Sequence, residues 1–399
     1  MNKKFNFYLI NYLIILLLFS IFFLYQKHNV ANDSTISEWL INYEGGFTKR
    51  GLIGQMSIYF SNLFSTNLRD IILSFQIILV GTYFVLLFKF LKNLYYNKIF
   101  ILALFSPIFI LYPVAEIEVL ARKEIFIFIY FLLYTFIPIE KKISKFLFKL
   151  IIFPITILIW EPIIFFVLFF LFLDLIENKI LKINKIFFFQ IFSYLPGIVL
   201  AIYIAINPIS IEGHDLMVES LKENFNEACY MSCDLLRRKA SIYEQFQGNF
   251  GKYSLEVFIR YFLIIFIGFG PLFILLSNSK LKHQILFFKN FNNLLWPFLI
   301  LLSPVILLFA MGYDWGRWVN ISYFFSIITL VFIYKNNLIN LSEKFLEKKI
   351  FKKINKKIFI LTLIIFCFCW NPKTVITGDV ASFPGYRIPY KVIKIILND

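Results

Sequence analysis

The chain alternates long apolar runs with short polar connections. Runs dominated by Phe, Ile and Leu lie at Tyr8–Tyr25, Ile71–Leu91, Ile99–Tyr112, Ile125–Pro138, Phe148–Ile159, Ile163–Leu175, Ile186–Ile206, Leu255–Leu276, Leu294–Met311, Ile321–Tyr334 and Ile358–Trp370. In hydrocarbon every backbone polar group needs an internal partner, so runs of this kind predict transmembrane helices. The pattern predicts about ten to twelve spans, some short enough to be half-helices. The expected fold is therefore all-α: a polytopic transmembrane helix bundle forming a single integral membrane domain. The first run follows Lys3 and Lys4 without a small-residue cleavage site, which reads as an uncleaved anchor.

Lysines give this pattern an orientation. Lys3/Lys4, Lys89/Lys92/Lys98, Lys141/Lys142/Lys145/Lys149, Lys179/Lys182/Lys185, Lys280/Lys282/Lys289 and the stretch 335–357 fall at every second connection. Those connections are expected in the cytoplasm. The alternation holds only if Trp160-Glu161-Pro162 is a real turn on the outer side. The amino terminus is then inside and the tail 371–399 outside. The outer segments are a first loop, 26–70, holding the apolar-patterned Leu52–Phe64 as a re-entrant or interfacial helix, and a large central loop, 207–253. Leu338–Lys357 is expected to be a basic amphipathic helix on the inner lipid surface, with Lys348/Lys352/Lys356 and Lys349/Lys353/Lys357 on one face.

Composition agrees with a membrane protein. Of 399 residues 60% are hydrophobic, and the mean hydropathy is +0.76. A net charge of +16 would by itself point to nucleic acid. Here the lysines sit between apolar runs, and no basic face with interleaved aromatics lies outside them, so nucleic-acid binding is not expected.

The arginines behave differently. Arg50, Arg69, Arg122, Arg237, Arg238, Arg260, Arg317 and Arg387 all fall on the outer side of this topology or at an outer helix end. In a lysine-rich chain, arginine is expected where a planar, permanently charged fork must hold phosphate or carboxylate. The plainer reading pairs them with Glu44, Glu118 and Asp314. Glu118 and Arg122 stand at i, i+4 and could simply pair.

Several outer stretches carry candidate chemistry. In "NYEGGFTKRGL", residues 42–52, Gly45-Gly46 permits a close approach or a left-handed turn, and Lys49-Arg50 precedes a helical pattern. Glu161 stands at the Pro-broken turn with no local cation, so it is either solvated or held by an arginine. "GYDWGRW", residues 312–318, sets Asp314 and Arg317 among Trp315 and Trp318. That is either an interfacial aromatic belt or a sugar-stacking subsite. In the central loop Leu221, Phe225, Ala228, Ser232, Leu235 and Ile242 recur at helical spacing. Cys229 and Cys233, four apart, would be within disulfide range on a helix. Cys367 and Cys369 read as small apolar residues. His214, Glu44, Glu161 and Asp314 are the candidate bases. No Walker, GxGxxG or HExxH motif is present, and no carboxylate pair stands at metal-ligand spacing on the outer segments. Neither a metal nor a cofactor is expected.

"YEGGFTKRGLIG" together with "ARKE" and "DWGRW" resembles a pattern in Wzy-like O-antigen and capsular polysaccharide polymerases of bacteria. The large outer loop, late in the typical polymerase, is central here. The resemblance implies a GT-C-like, metal-independent membrane glycosyltransferase in the inner membrane. It would join polyprenyl-pyrophosphate-linked oligosaccharide units at the outer face, with other polysaccharide-assembly proteins as possible partners. Carried over, Arg50, Arg122 and Arg317 would hold the pyrophosphate, with Lys49 beside Arg50. Two alternatives stay open. One is a transferase using a polyprenyl-monophosphate sugar, with Asp33, Glu38 and Glu44 as first-loop carboxylates. The other is a lipid-linked saccharide transporter.

Overall fold

The computed structural model describes residues 2–30, 34–94, 96–230, 232–237, 242–251, 253–342 and 355–374. These are mostly helical. Four helices are long and apolar enough to cross a membrane: Lys3–His28, Leu68–Leu91, Leu255–Ser277 and Trp315–Lys335. Lys185–Phe192 with Leu195–Ile206 makes a fifth candidate, bent by 42°. Ile186–Ile206 is thus not one straight span. Glu124–Phe136, Leu295–Met311 and Lys357–Phe368 are shorter apolar helices. Asp33, Arg238, Arg387, most of the basic stretch 335–357 and nearly all of the tail 371–399 lie outside the described residues.

The chain divides into two compact units. The first comprises the described parts of 1–93, 117–171 and 184–241; the second comprises those of 94–116, 172–183 and 242–399.

In the first unit Leu68–Leu91 packs between Asn2–His28 and Glu124–Phe136, while Lys142–Ile159 packs on Leu195–Ile206. The break at 160–162 is real. Lys142–Ile159 ends at an extended Trp160, and Pro162 opens a 3-10 turn, Glu161–Phe166. Lys145 and Lys149, two of the lysines expected at a cytoplasmic connection, are buried. The Lys149 ammonium donates to Gln190 Oε1 at 2.6 Å and lies over the Tyr194 ring at 4.8 Å; Lys145 lies over Tyr134 at 4.7 Å. Four apart on one helix, both turn inward to aromatic faces that accept a cation.

In the second unit Leu255–Ser277 packs against Lys98–Leu104 and Trp315–Lys335. The latter is buried from Trp315 to Ile333. The expected span Ile99–Tyr112 does not form, because its helix stops at Leu104. Pro107 cannot continue it, and the freed carbonyls find donors on the buried helix. Asn320 Nδ2 donates to Ile108 O (2.8 Å) and Phe109 O (3.0 Å), and the Tyr323 hydroxyl to Ala103 O (2.7 Å). Irregular backbone survives in apolar surroundings only with such partners. The all-α expectation also misses a two-stranded antiparallel ribbon, Ser279–Leu281 with Ile339–Leu341. The expected amphipathic helix therefore does not begin at Leu338.

Candidate functional site

The first unit assembles charges from four distant stretches. Glu38 follows the short helix Ser34–Ser37 and is fully buried. Trp39 Nε1 donates to Ala121 O at 3.1 Å, fixing this segment beside residues 121–124. There Arg122 Nη2 donates to Glu38 Oε1, and Arg50 Nη1 stands 3.6 Å from the same oxygen. The other edge of Arg50 grips Glu161. Nε lies 2.8 Å from Oε2 and Nη2 lies 2.9 Å from Oε1. Lys123, fully buried, donates its Nζ to the Arg50 carbonyl. Glu38 and Glu161 thus stand against Arg50, Arg122 and the neighbouring Lys49, a surplus of cations before the buried Lys123 is counted.

The backbone explains how Arg50 reaches this position. Gly45 packs on Gly213 so closely that a Cβ would sit 1.7 Å from the Gly213 carbonyl oxygen, and Gly46 has φ +111°. Both uses of the double glycine are therefore realised. Arg50 is itself left-handed, φ 62°, as the cap residue of Gly51–Phe64, and Ala121, just before Arg122, has φ 51°. Non-glycine residues in this conformation cost on the order of 1–3 kcal/mol each and gather where function over-determines the backbone. The Lys123 ammonium on the Arg50 carbonyl helps to hold the first of them.

Exposure falls along the cluster. The Lys49 side chain is exposed, and those of Arg50 and Glu161 are 19% and 22% exposed. Those of Arg122 and Glu38 are 8% and 0%. An anion would therefore meet Lys49, Arg50 and Glu161 before the buried pair. Burial pushes the Glu161 carboxyl up, but the charge and bonds of Arg50, helped by Lys49, outweigh it and hold the group below its usual range. Burial drives Lys123 down to about 7, although Glu38 and Glu161 oppose the shift. Arg122 Nε is buried and without a hydrogen-bond partner among the described residues. A buried donor of this kind is costly to leave unmade.

The remaining candidates are placed as follows. Glu44 lies at the exposed rim and accepts from Gln55 Nε2 at 2.7 Å. Glu118 is exposed and Arg122 turns to Glu38, so the i, i+4 pairing does not form. His214 is buried on Ile211–Phe225, with Nδ1 3.2 Å from Asp215 Oδ1 and Nε2 3.7 Å from Cys229 Sγ. Cys229 and Cys233 form a disulfide with Cα atoms 5.3 Å apart. It lies beyond the helix, which ends at Phe225, and none of the described residues in 226–233 is helical. Ser232 inside this loop receives Arg122 Nη2 at 3.4 Å.

Asp314, Arg317, Trp315 and Trp318 belong to the second unit. Arg317 Nη1 meets Asp314 Oδ2 at 3.2 Å, the local pairing, and its guanidinium lies over Trp318. Trp315 is no open sugar platform. Its ring is enclosed by Tyr253, Phe258, Tyr261 and Phe309, and Nε1 donates to Phe309 O at 2.8 Å. Trp318 is buried as well. A Cβ on Gly316 would stand 2.0 Å from the Lys373 carbonyl oxygen, so this glycine admits the segment 371–374. Lys373 and Thr374 in turn bind Glu116.

Sequence reasoning weighed Glu38 only as a first-loop carboxylate of the monophosphate-sugar alternative and missed its hold on both arginines. It also missed an aromatic ledge on the loop that carries Arg50. Tyr43 stacks on Phe47 (5.6 Å), which meets Tyr203 (5.7 Å), and Phe47 and Tyr203 are exposed. Tyr203 lies within an apolar run, where composition gives it no distinction. Among the described residues no three His, Cys, Asp or Glu side chains are grouped to hold a metal. Comparison with known protein families, curated proteins and solved structures returned no match.

Proposed function

We propose that this protein is a membrane glycosyltransferase that polymerises polyprenyl-pyrophosphate-linked oligosaccharides at the outer face of the bacterial inner membrane. The observation that carries the reading is the Arg50–Arg122 pair. The two guanidinium groups converge on one carboxylate, cations are in surplus, and a donor on Arg122 is unsatisfied. A diphosphate is the complementary ligand, since fixed guanidinium groups meet phosphate through paired donors and stabilise charge on a departing phosphate. In this reading Arg50 exchanges Glu161 for the diphosphate. Glu161, released from the cation that held its pKa down, then becomes basic enough to take the proton of the attacking sugar hydroxyl. The exposed ledge of Phe47 and Tyr203 offers an apolar neighbour for the lipid. The GT-C-like fold, the cytoplasmic amino terminus and the outer position of the cluster belong to the same proposal.

The test is elongation by purified protein. A lipid-pyrophosphate-linked repeat unit in excess EDTA should yield a ladder of products differing by one repeat. A single addition that requires Mg²⁺ or Mn²⁺ would instead favour the monophosphate-sugar transferase. Lipid movement across vesicles without any transfer would favour a transporter.

A further inference from the structure

A second feature of the first unit has the opposite electrostatic character. A cleft of about 500 Å³ opens between residues 61–68 and residues 223–226. Its lining is rich in neutral hydrogen-bonding groups, among them Asn62, Ser65 and Asn67 on one wall and Asn224 and Asn226 on the other. Phe225 and Leu68 supply apolar surface, and Glu223 is the charged residue. No lysine or arginine lines it among the described residues.

The cleft is built rather than incidental. Ser65 and Asn226 end the helices Gly51–Phe64 and Ile211–Phe225, both in left-handed conformation (φ 50° and 53°), so two helix carboxyl ends converge here. Asn67 caps the next helix by accepting from Arg69 N at 2.8 Å. One residue beyond each wall, Arg69 and Glu227 form a two-pronged ion pair, with Nη2 2.9 Å from Oε2. Glu227 is buried, and Arg69 also donates to His28 O (3.0 Å) and Val30 O (2.7 Å). This brace fixes the spacing of the walls. It also gives Arg69 a structural task, apart from the arginines proposed to hold phosphate.

The chemistry then selects the ligand. Two helix carboxyl ends and one carboxylate outweigh the single amino end of Leu68–Leu91, whose Arg69 N is already taken by the Asn67 cap, so the cleft disfavours anions and attracts hydroxyl donors. Amides and hydroxyls both donate and accept, as sugar hydroxyls do. The volume suits a ligand of a few sugar rings, within the usual range of ligand pockets. We infer that this cleft is a binding subsite for a neutral saccharide. It takes the sugar portion of the substrate while the arginine cluster takes the phosphate. The inference depends on the proposed function for the source of the saccharide, not for its chemistry.

Saturation-transfer NMR on the full chain in nanodiscs tests it, with free oligosaccharides of two to six units drawn from neutral hexose, deoxyhexose and N-acetylhexosamine series as probes. At least one neutral probe should bind in the millimolar range. Thr66→Arg, an exposed position on the cleft wall, should weaken it tenfold or more with an unchanged melting temperature. Asn224→Trp, filling the same space, should act alike. Arg50→Lys should leave saccharide binding unchanged while weakening inorganic pyrophosphate binding. Binding of no neutral probe, preference for an acidic oligosaccharide such as trigalacturonate, or loss with Arg50→Lys but not with Thr66→Arg would overturn the inference. Pyrophosphate binding measured on the same sample reports separately on the phosphate reading.

Discussion

Arginine meets carboxylate in both units, yet the two arrangements differ in origin. In the second unit Arg317 and Asp314 are three residues apart, at the start of one helix. Their pairing follows from helical geometry, Trp318 covers the guanidinium, and Trp315 is spent in an aromatic enclosure. In the first unit Arg50 joins Glu161 across 111 residues, and Arg122 joins Glu38 across 84. A short-range pair can form wherever a helix forms. A long-range pair with left-handed, non-glycine backbone at Arg50 and Ala121 has to be maintained by the rest of the fold. The lesson is that the most conspicuous motif in the chain, "GYDWGRW", is mostly packing. The assembly in the first unit uses residues that local stretches flag one by one, but whose pairing no local stretch reveals.

The contrast can be broken first by deleting a partner. Glu38→Gln leaves Arg122 buried without its counter-charge and should cost about 3–5 kcal/mol, read as lost abundance and a lower melting temperature. Asp314→Asn also leaves a buried guanidinium, but Asp314 itself is 28% exposed and Trp318 still covers the arginine, so it should cost less, about 1–3 kcal/mol. Equal losses would erase the distinction between the units. Next, the two close-packed glycines should behave alike despite their different settings. Gly45→Ala and Gly316→Ala each place a Cβ against a carbonyl oxygen and should cost roughly 1–3 kcal/mol by overpacking, seen in thermal unfolding.

Arg→Lys sharpens the comparison on the functional side. Arg50→Lys keeps the charge but loses the two-pronged grip. Under the proposed function it should reduce polymer product at least about a hundredfold at normal protein abundance, a loss on the scale of one removed oxyanion donor. A pyrophosphate-holding Arg317, as the resemblance implies, would make Arg317→Lys equally severe. Its local pairing and cover now point to a milder effect, mainly on stability. Comparable product loss in both variants, at equal abundance, would return Arg317 to the phosphate-holding group.

A pH dependence probes the buried lysine of the cluster. Burial lowers the Lys123 ammonium to about 7 in the folded protein, whereas an unfolded lysine titrates near 10.4. Between these values the unfolded chain binds the extra proton, so this group makes stability rise with pH from about 7 towards 10 and removes that gain as pH falls. The melting temperature of the wild type relative to Lys123→Met should increase over that window. A flat difference would mean that Lys123 stays charged throughout.

The sequence by itself determined the solvent of this protein and much of its punctuation. Apolar length marked Leu68–Leu91, Leu255–Ser277 and the first helix, because a bilayer imposes a minimum run whatever surrounds it. Pro162 marked the break that carries Glu161, and the double glycine marked a close approach, since both act through local backbone geometry. Glu161 was read as solvated or held by an arginine, and Arg50 holds it. What only the tertiary structure decided was pairing. Arg122 chose Glu38 over the neighbour at i, i+4, Asn320 rescued the broken backbone after Leu104, and Lys149 turned inward. Each outcome depends on which side chains long-range packing brings within about 3 Å, the reach of a hydrogen bond, and no local periodicity encodes that distance.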